Sequence, residues 1–212
     1  MNVTLAFTGA SGMPFGLRLL QCLVAARCHV YLLYSSAAQI VAKQECAITI
    51  PTQPREAARM FRDLYRADEG QIEVFAREDW NAPIASGSNA ADAMAICPCT
   101  VGTLGAIASG LADNLIHRAA DVMLKERRRL VIVPRETPLS TIHLSNMLRL
   151  AEAGAIILPP APGFYNDPQS IGDLVDFVVA RVLDQLGVEH ALMPRWGAND
   201  ASPAAAPPGR GP

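Results

Sequence analysis

Five short apolar runs, at residues 3–7, 29–34, 93–97, 130–133 and 155–158, each precede a longer stretch of helical periodicity. Strand-length runs alternating with helix-length ones argue for βαβ units, a parallel sheet and right-handed crossovers, that is, a doubly wound α/β fold. The following helices are predicted near 14–26, 36–46, 101–109, 140–153 and 170–187, with further helices at 114–128 and, on the surface, at 54–65. At 212 residues the chain is long enough for one domain with a full core and short for two. A single ligand-binding domain is expected over 1–197. The last residues, 198–212, are mostly Ala, Pro and Gly, cannot bury a core and are expected to form a disordered tail.

Charge and cysteine usage narrow the ligand. A net charge of −2 leaves no large basic surface for nucleic acid, so a small molecule is expected. Cys22, Cys28, Cys46, Cys97 and Cys99 form neither a CxxC pair nor a Cys/His ligand spacing, which argues against a disulfide framework and a zinc site and suits a reducing cytoplasm. The apolar start lacks a basic flank and runs into a turn at Gly9, unlike a signal peptide, and no apolar run is long enough to span a membrane.

In a doubly wound sheet, ligands sit outside the carboxyl ends of the strands. Three of those ends carry one chemistry: Thr8-Gly9-Ala10-Ser11-Gly12, Ser35-Ser36 and Pro98-Cys99-Thr100-Val101-Gly102-Thr103. Hydroxyls there cap helices, and free N–H groups there can hold an anion, so each loop alone is either an ordinary cap or a ligand contact. Together they read as a phosphate cradle. A dinucleotide site would place an acidic residue at the end of the second strand to hold the ribose, where this chain has Ser35 and Ser36. A mononucleotide fits better than NAD. The fourth strand runs into Arg135 and Glu136, a base and a carboxylate at the same edge, or else a surface ion pair worth less than about 1 kcal/mol. Arg118 and Lys125 lie two turns apart on one helix, a solvated stripe when taken alone. With Arg135 and Arg181 they suit a phosphate bound by side chains without a metal.

These motifs resemble the flavin prenyltransferase family (UbiX-type) from Val3 to about Trp196. The blocks that carry the resemblance are Thr8-Gly9-Ala10-Ser11-Gly12, the run from Arg118 through Lys125 to Arg128, Pro134-Arg135-Glu136-Thr137-Pro138-Leu139, and Pro159-Pro160-Ala161-Pro162-Gly163-Phe164-Tyr165. The resemblance implies a flavodoxin-like or Rossmann-like three-layer sandwich that joins a dimethylallyl group to N5 and C6 of reduced FMN without a metal, making prenylated FMN for UbiD-type decarboxylases. It implies FMN contacts at Gly9, Ala10, Ser11, Ser35, Thr100, Val101, Gly102, Thr103, Arg118 and Arg135. It assigns the phosphate of dimethylallyl monophosphate to Lys125, Glu136, Tyr165 and Arg181, with Ser86, Ser88, Trp80 and Trp196 lining the reacting end. Lys125, Arg181 and Tyr165 would stabilise the departing phosphate, and Glu136 would act as acid and base. Ser11 belongs to the implied catalytic set. A cytoplasmic homo-oligomer, a dodecamer in relatives, is implied too. Met13-Pro14-Phe15 and Gly102 depart from the family's usual residues, and Pro14 suits the first turn of a helix.

Two other functions compete. One is an FMN-dependent cysteine-peptide decarboxylase, whose histidine has no counterpart in context among His29, His117, His143 and His190. The other is a flavin carrier without chemistry, which would need the cradle but not Lys125, Glu136 and Arg181 together.

Overall fold

The computed structural model describes residues 1–193, which leaves Trp196 and the expected tail outside the described residues. Six strands, β1 (Asn2–Phe7), β2 (His29–Tyr34), β3 (Ile72–Val74), β4 (Ala93–Cys99), β5 (Arg129–Pro134) and β6 (Ile156–Ile157), form one parallel sheet in the order β3-β2-β1-β4-β5-β6. The helices are α1 (Met13–Ala25), α2 (Ser36–Cys46), α3 (Pro54–Tyr65), α4 (Val101–Ala108), α5 (Leu115–Lys125), α6 (Thr141–Glu152) and α7 (Ile171–Leu186). The doubly wound three-layer sandwich expected from the sequence is the fold. Strand order reverses between β1 and β4, which opens a crevice at their carboxyl ends.

The central strands are continuous apolar runs because helices cover both of their faces. Val3, Leu5 and Phe7 of β1 face one core layer, packed by α1 and α7 and by Phe61 of α3. Ala6 of β1, with Met94 and Ile96 of β4, faces the other layer, packed by α4, α5 and α6. Alternation along each strand therefore assigns α5 and α7 to opposite faces of the sheet.

Three local features differ from expectation. The strand β3 was not foreseen: three residues, Ile72-Glu73-Val74, are too short a run for their alternation to stand out, and their pairing with β2 supplies what so short a pattern lacks. The predicted strand at 155–158 narrows to Ile156–Ile157. The helix predicted to Arg128 stops at Lys125, because Arg127 adopts a left-handed φ of 55° that no α-helix continues.

Helix starts follow the expected chemistry. Ser35, Thr100, Asn114, Ser140 and Ser170 each accept a backbone N–H with the side chain at the start of α2, α4, α5, α6 and α7. The starts of α3, whose cap residue Gln53 makes no side-chain bond, and of α1 are the exceptions. The cap of α1 is Gly12, at φ 110°, with no side-chain bond of its own.

Candidate functional site

Thr8 ties the two strands that flank the crevice. Its buried hydroxyl donates to the Pro98 carbonyl at 2.8 Å and accepts from the Thr100 N–H at 2.8 Å. The first turn of α2 closes against Gly9, where any Cβ would run into the Ala37 Cβ, so only glycine permits this approach. The starts of α2 and α4 consequently share one cleft of about 340 Å³, lined among others by Gly9, Ser35, Ser36, Thr100, Gly102 and Thr103. The Ser35 hydroxyl accepts from the Ala38 N–H at 3.1 Å, which leaves its proton to offer a ligand. Thr100 accepts from the Thr103 N–H at 3.1 Å and donates to the Thr103 hydroxyl at 3.0 Å, leaving the Thr103 proton toward the cleft. Such hydroxyls beside two helix N-termini form a seat for an anionic oxygen group.

The loop after β1 behaves differently from the other two. Glu45 Oε2 accepts from the Gly12 and Met13 N–H groups at 2.9 Å each, so a carboxylate of the chain already fills the N-terminus of α1. Burial alone would raise the Glu45 pKa. Hydrogen bonds from Ser11, Gly12 and Met13, with the Arg135 charge nearby, outweigh it and hold the carboxyl below its usual range. Ser11, Glu45 and Arg135 thus form one group beside the cleft. Glu45 escaped the sequence reading because its role rests on contacts 32 and 33 residues back in the chain.

This arrangement has a pH signature. With its folded pKa below the unfolded one, Glu45 contributes stability that is fully present above about pH 4.3 and is lost as pH falls through the lower folded value. Thermal melts between about pH 6 and about pH 3 are expected to fall less steeply for Glu45→Gln than for the unaltered protein. Identical slopes would remove Glu45 from the acid sensitivity.

A second group lies along α5. Arg118 Nε donates to the Ala85 carbonyl at 2.9 Å and its Nη1 pairs with Asp121 at 2.8 Å. Lys125 pairs with Glu126, and a Cβ on Gly87 would stand 2.6 Å from Lys125 Nζ, so residues 85–88 run beside this helix. The Ser86 and Ser88 hydroxyls share a hydrogen bond of 3.0 Å. Lys125 lies four residues before Arg129, the first residue of β5, whereas Ser11 follows the end of β1. All strands are parallel, so a six-residue strand of roughly 20 Å separates the edges that hold the two groups.

The remaining expected residues are dispersed as well. Arg181 pairs with Asp184 at 2.7 Å on α7, across the sheet from Lys125. Tyr165, in the loop after β6, sets its exposed ring edge-on to Phe177 at a centroid distance of 5.7 Å. Glu136 is exposed after β5, with Oε1 accepting from the Thr137 N–H at 3.1 Å. Trp80 is exposed in the loop beyond β3. Arg181, Tyr165, Glu136 and Trp80 do not line the 340 Å³ cleft. Ala10, Ser11, Val101, Arg118 and Arg135 do not line the 340 Å³ cleft, while Gly9, Ser35, Thr100, Gly102 and Thr103 do.

The cleft also takes in Arg77, Asn114 and His117, which the sequence reading did not select. Arg77 follows β3, so inspecting strand ends would have found it had that strand been recognised. Among the described residues no group of three or more His, Cys, Asp or Glu is placed to hold a metal. All five cysteines are free thiols, and burial pushes the Cys97 thiol up to about 12, which makes it a poor nucleophile.

The sequence pattern of the Flavoprotein family matches residues 1–183. The flavin prenyltransferase UbiX of Pseudomonas aeruginosa is 56% identical over 196 residues, covering 92% of this chain and 94% of that one. A dodecameric FMN-dependent Ubix-like decarboxylase from Escherichia coli O157:H7 superposes with a TM-score of 0.81 at 44% identity, covering 92% of this chain and 99% of that one. AnUbiX (PadA1), solved in complex with FMN and dimethylallyl pyrophosphate, has a TM-score of 0.81 and 44% identity, covering 92% of this chain and 96% of that one.

Proposed function

The chain belongs to the flavin prenyltransferases of the flavoprotein family, and from that premise we propose that it transfers the dimethylallyl group of dimethylallyl monophosphate to N5 and C6 of reduced FMN, giving prenylated FMN. The observation that carries the proposal is the cleft at the strand-order reversal, where hydroxyls of Ser35 and Thr103 and the starts of α2 and α4 await a flavin mononucleotide's phosphate. The end of β2 carries no acid that a dinucleotide ribose would need. Bound reduced FMN supplies the electron-rich nitrogen and carbon that the allyl group joins.

The chain's own residues divide the remaining work. Glu45 holds the Ser11 hydroxyl at the carboxyl edge, and Arg135 lends it charge. Lys125, Arg181 and Tyr165 neutralise the phosphate as charge develops on it, Glu136 exchanges protons with it, and Ser86, Ser88 and Trp80 border the allyl end. Since Lys125 and Ser11 stand at opposite edges of the sheet within one chain, the active unit is a homo-oligomer in which one copy's α5 edge meets another's Ser11 edge. Exposed apolar residues support this, among them Ile142 at 70% and Leu148 at 59% on α6. A dodecamer like that of the Escherichia coli relative is the assembly proposed. The product passes to a UbiD-type decarboxylase in the cytoplasm, a compartment that five unpaired cysteines suit.

The cysteine-peptide decarboxylase reading is not favoured: the 56% identity lies with a prenyltransferase. A carrier would need only the cleft. Incubation with reduced FMN and either dimethylallyl monophosphate or the pyrophosphate, followed by mass spectrometry of the flavin, separates these readings. The expected result is a gain of one prenyl unit, greater with the monophosphate. An unaltered flavin with both donors would overturn the assignment.

A further inference from the structure

Resting on the FMN reading above, we propose that Arg77 is the residue that selects FMN over unphosphorylated flavin, by pairing its guanidinium with the phosphate in the 340 Å³ cleft. Arg77 is exposed in the loop after β3, on the rim that faces Ser35, Ser36, Thr100 and Thr103. Among the described residues no carboxylate lines this cleft, and no ion pair or side-chain hydrogen bond engages the guanidinium. The other basic group there is already balanced: His117 Nδ1 lies 2.7 Å from Asp113 Oδ1. Arg135 faces Glu45 outside the cleft, and Arg118 is committed to Asp121 and to the Ala85 carbonyl. Among the described residues, Arg77 is therefore the cation in the cleft whose charge no carboxylate offsets. A dianionic phosphate beside two helix N-termini is the ligand that uses such a charge, and a planar guanidinium can grip two of its oxygens at once. The loop keeps its position without that side chain, because the Arg77 carbonyl, not the guanidinium, accepts the Leu115 N–H at 2.7 Å.

The test titrates purified protein with FMN and with riboflavin, following flavin fluorescence, for the unaltered chain, Arg77→Gln and Arg77→Lys. Arg77→Gln is expected to weaken FMN about 10- to 100-fold and to leave riboflavin unchanged, as loss of one charge-assisted contact to phosphate requires. Arg77→Lys is expected to recover part of the loss. Added salt should weaken FMN binding more in the unaltered protein than in Arg77→Gln. Equal losses for FMN and riboflavin, or no loss for FMN, would overturn the role of Arg77 while leaving the FMN reading intact. Failure of the unaltered protein to bind FMN at all would overturn both.

Discussion

Two inactive variants, Gly9→Val and Lys125→Met, are expected to recover flavin prenylation when assembled together. Lys125→Met keeps the cleft and should bind FMN as the unaltered protein does, yet form prenylated flavin about 100-fold more slowly or worse, because charge on the departing phosphate loses a cation. Gly9→Val keeps Lys125 and loses the flavin seat. The sheet sets these two features at opposite edges, roughly 20 Å apart, a distance no lysine side chain spans. If neighbouring copies bring the edges together, a mixed oligomer contains sites with an intact Gly9 from one copy and an intact Lys125 from the next, about one site in four. Co-expression with two affinity tags, isolation of doubly tagged particles and mass spectrometry of the flavin give the readout. Doubly tagged particles as inactive as their parents would place the whole site within one copy and refute the shared arrangement.

Gly9→Val examined alone carries the second large effect. A Cβ at this position already overlaps the Ala37 Cβ, so a β-branched side chain must push the first turn of α2, and Ser35 with it, away from Thr8. Overpacking of this kind costs about 1–3 kcal/mol, and the melting temperature should drop by several degrees. FMN affinity should fall at least about 10-fold, since the capping hydroxyl and the helix N-terminus leave the cleft together. Gly102→Ala is the contrasting control. A Cβ there meets only the Thr100 hydroxyl, at 3.9 Å, and should not lower the melting temperature. Calorimetry and flavin titration of both variants check this, and equal behaviour of the two would show that the approach of Gly9 to Ala37 is unimportant.

Much of this was visible in the amino-acid order. Val3, Leu5 and Phe7 on one face with Ala6 on the other announce a strand covered on both faces, Ser35 and Thr100 mark the helix starts where they occur, and Gly9 and Gly12 signal the turn between β1 and α1. Each of these is a short-range property: strand alternation, helix periodicity and capping act over a few residues, so local order suffices to specify them. Other features were settled by folding. The strand β3 exists because β2 offers it a partner, Glu45 reaches the start of α1 from the far end of α2, and Arg77 enters the cleft only because β3 delivers it there. Lys125 and Ser11, which the family resemblance implies for one catalytic set, come to lie at opposite edges of the sheet. Charge pairing and cavity lining depend on distance through space, and that distance is set by how strands and helices pack, which no spacing along the chain encodes.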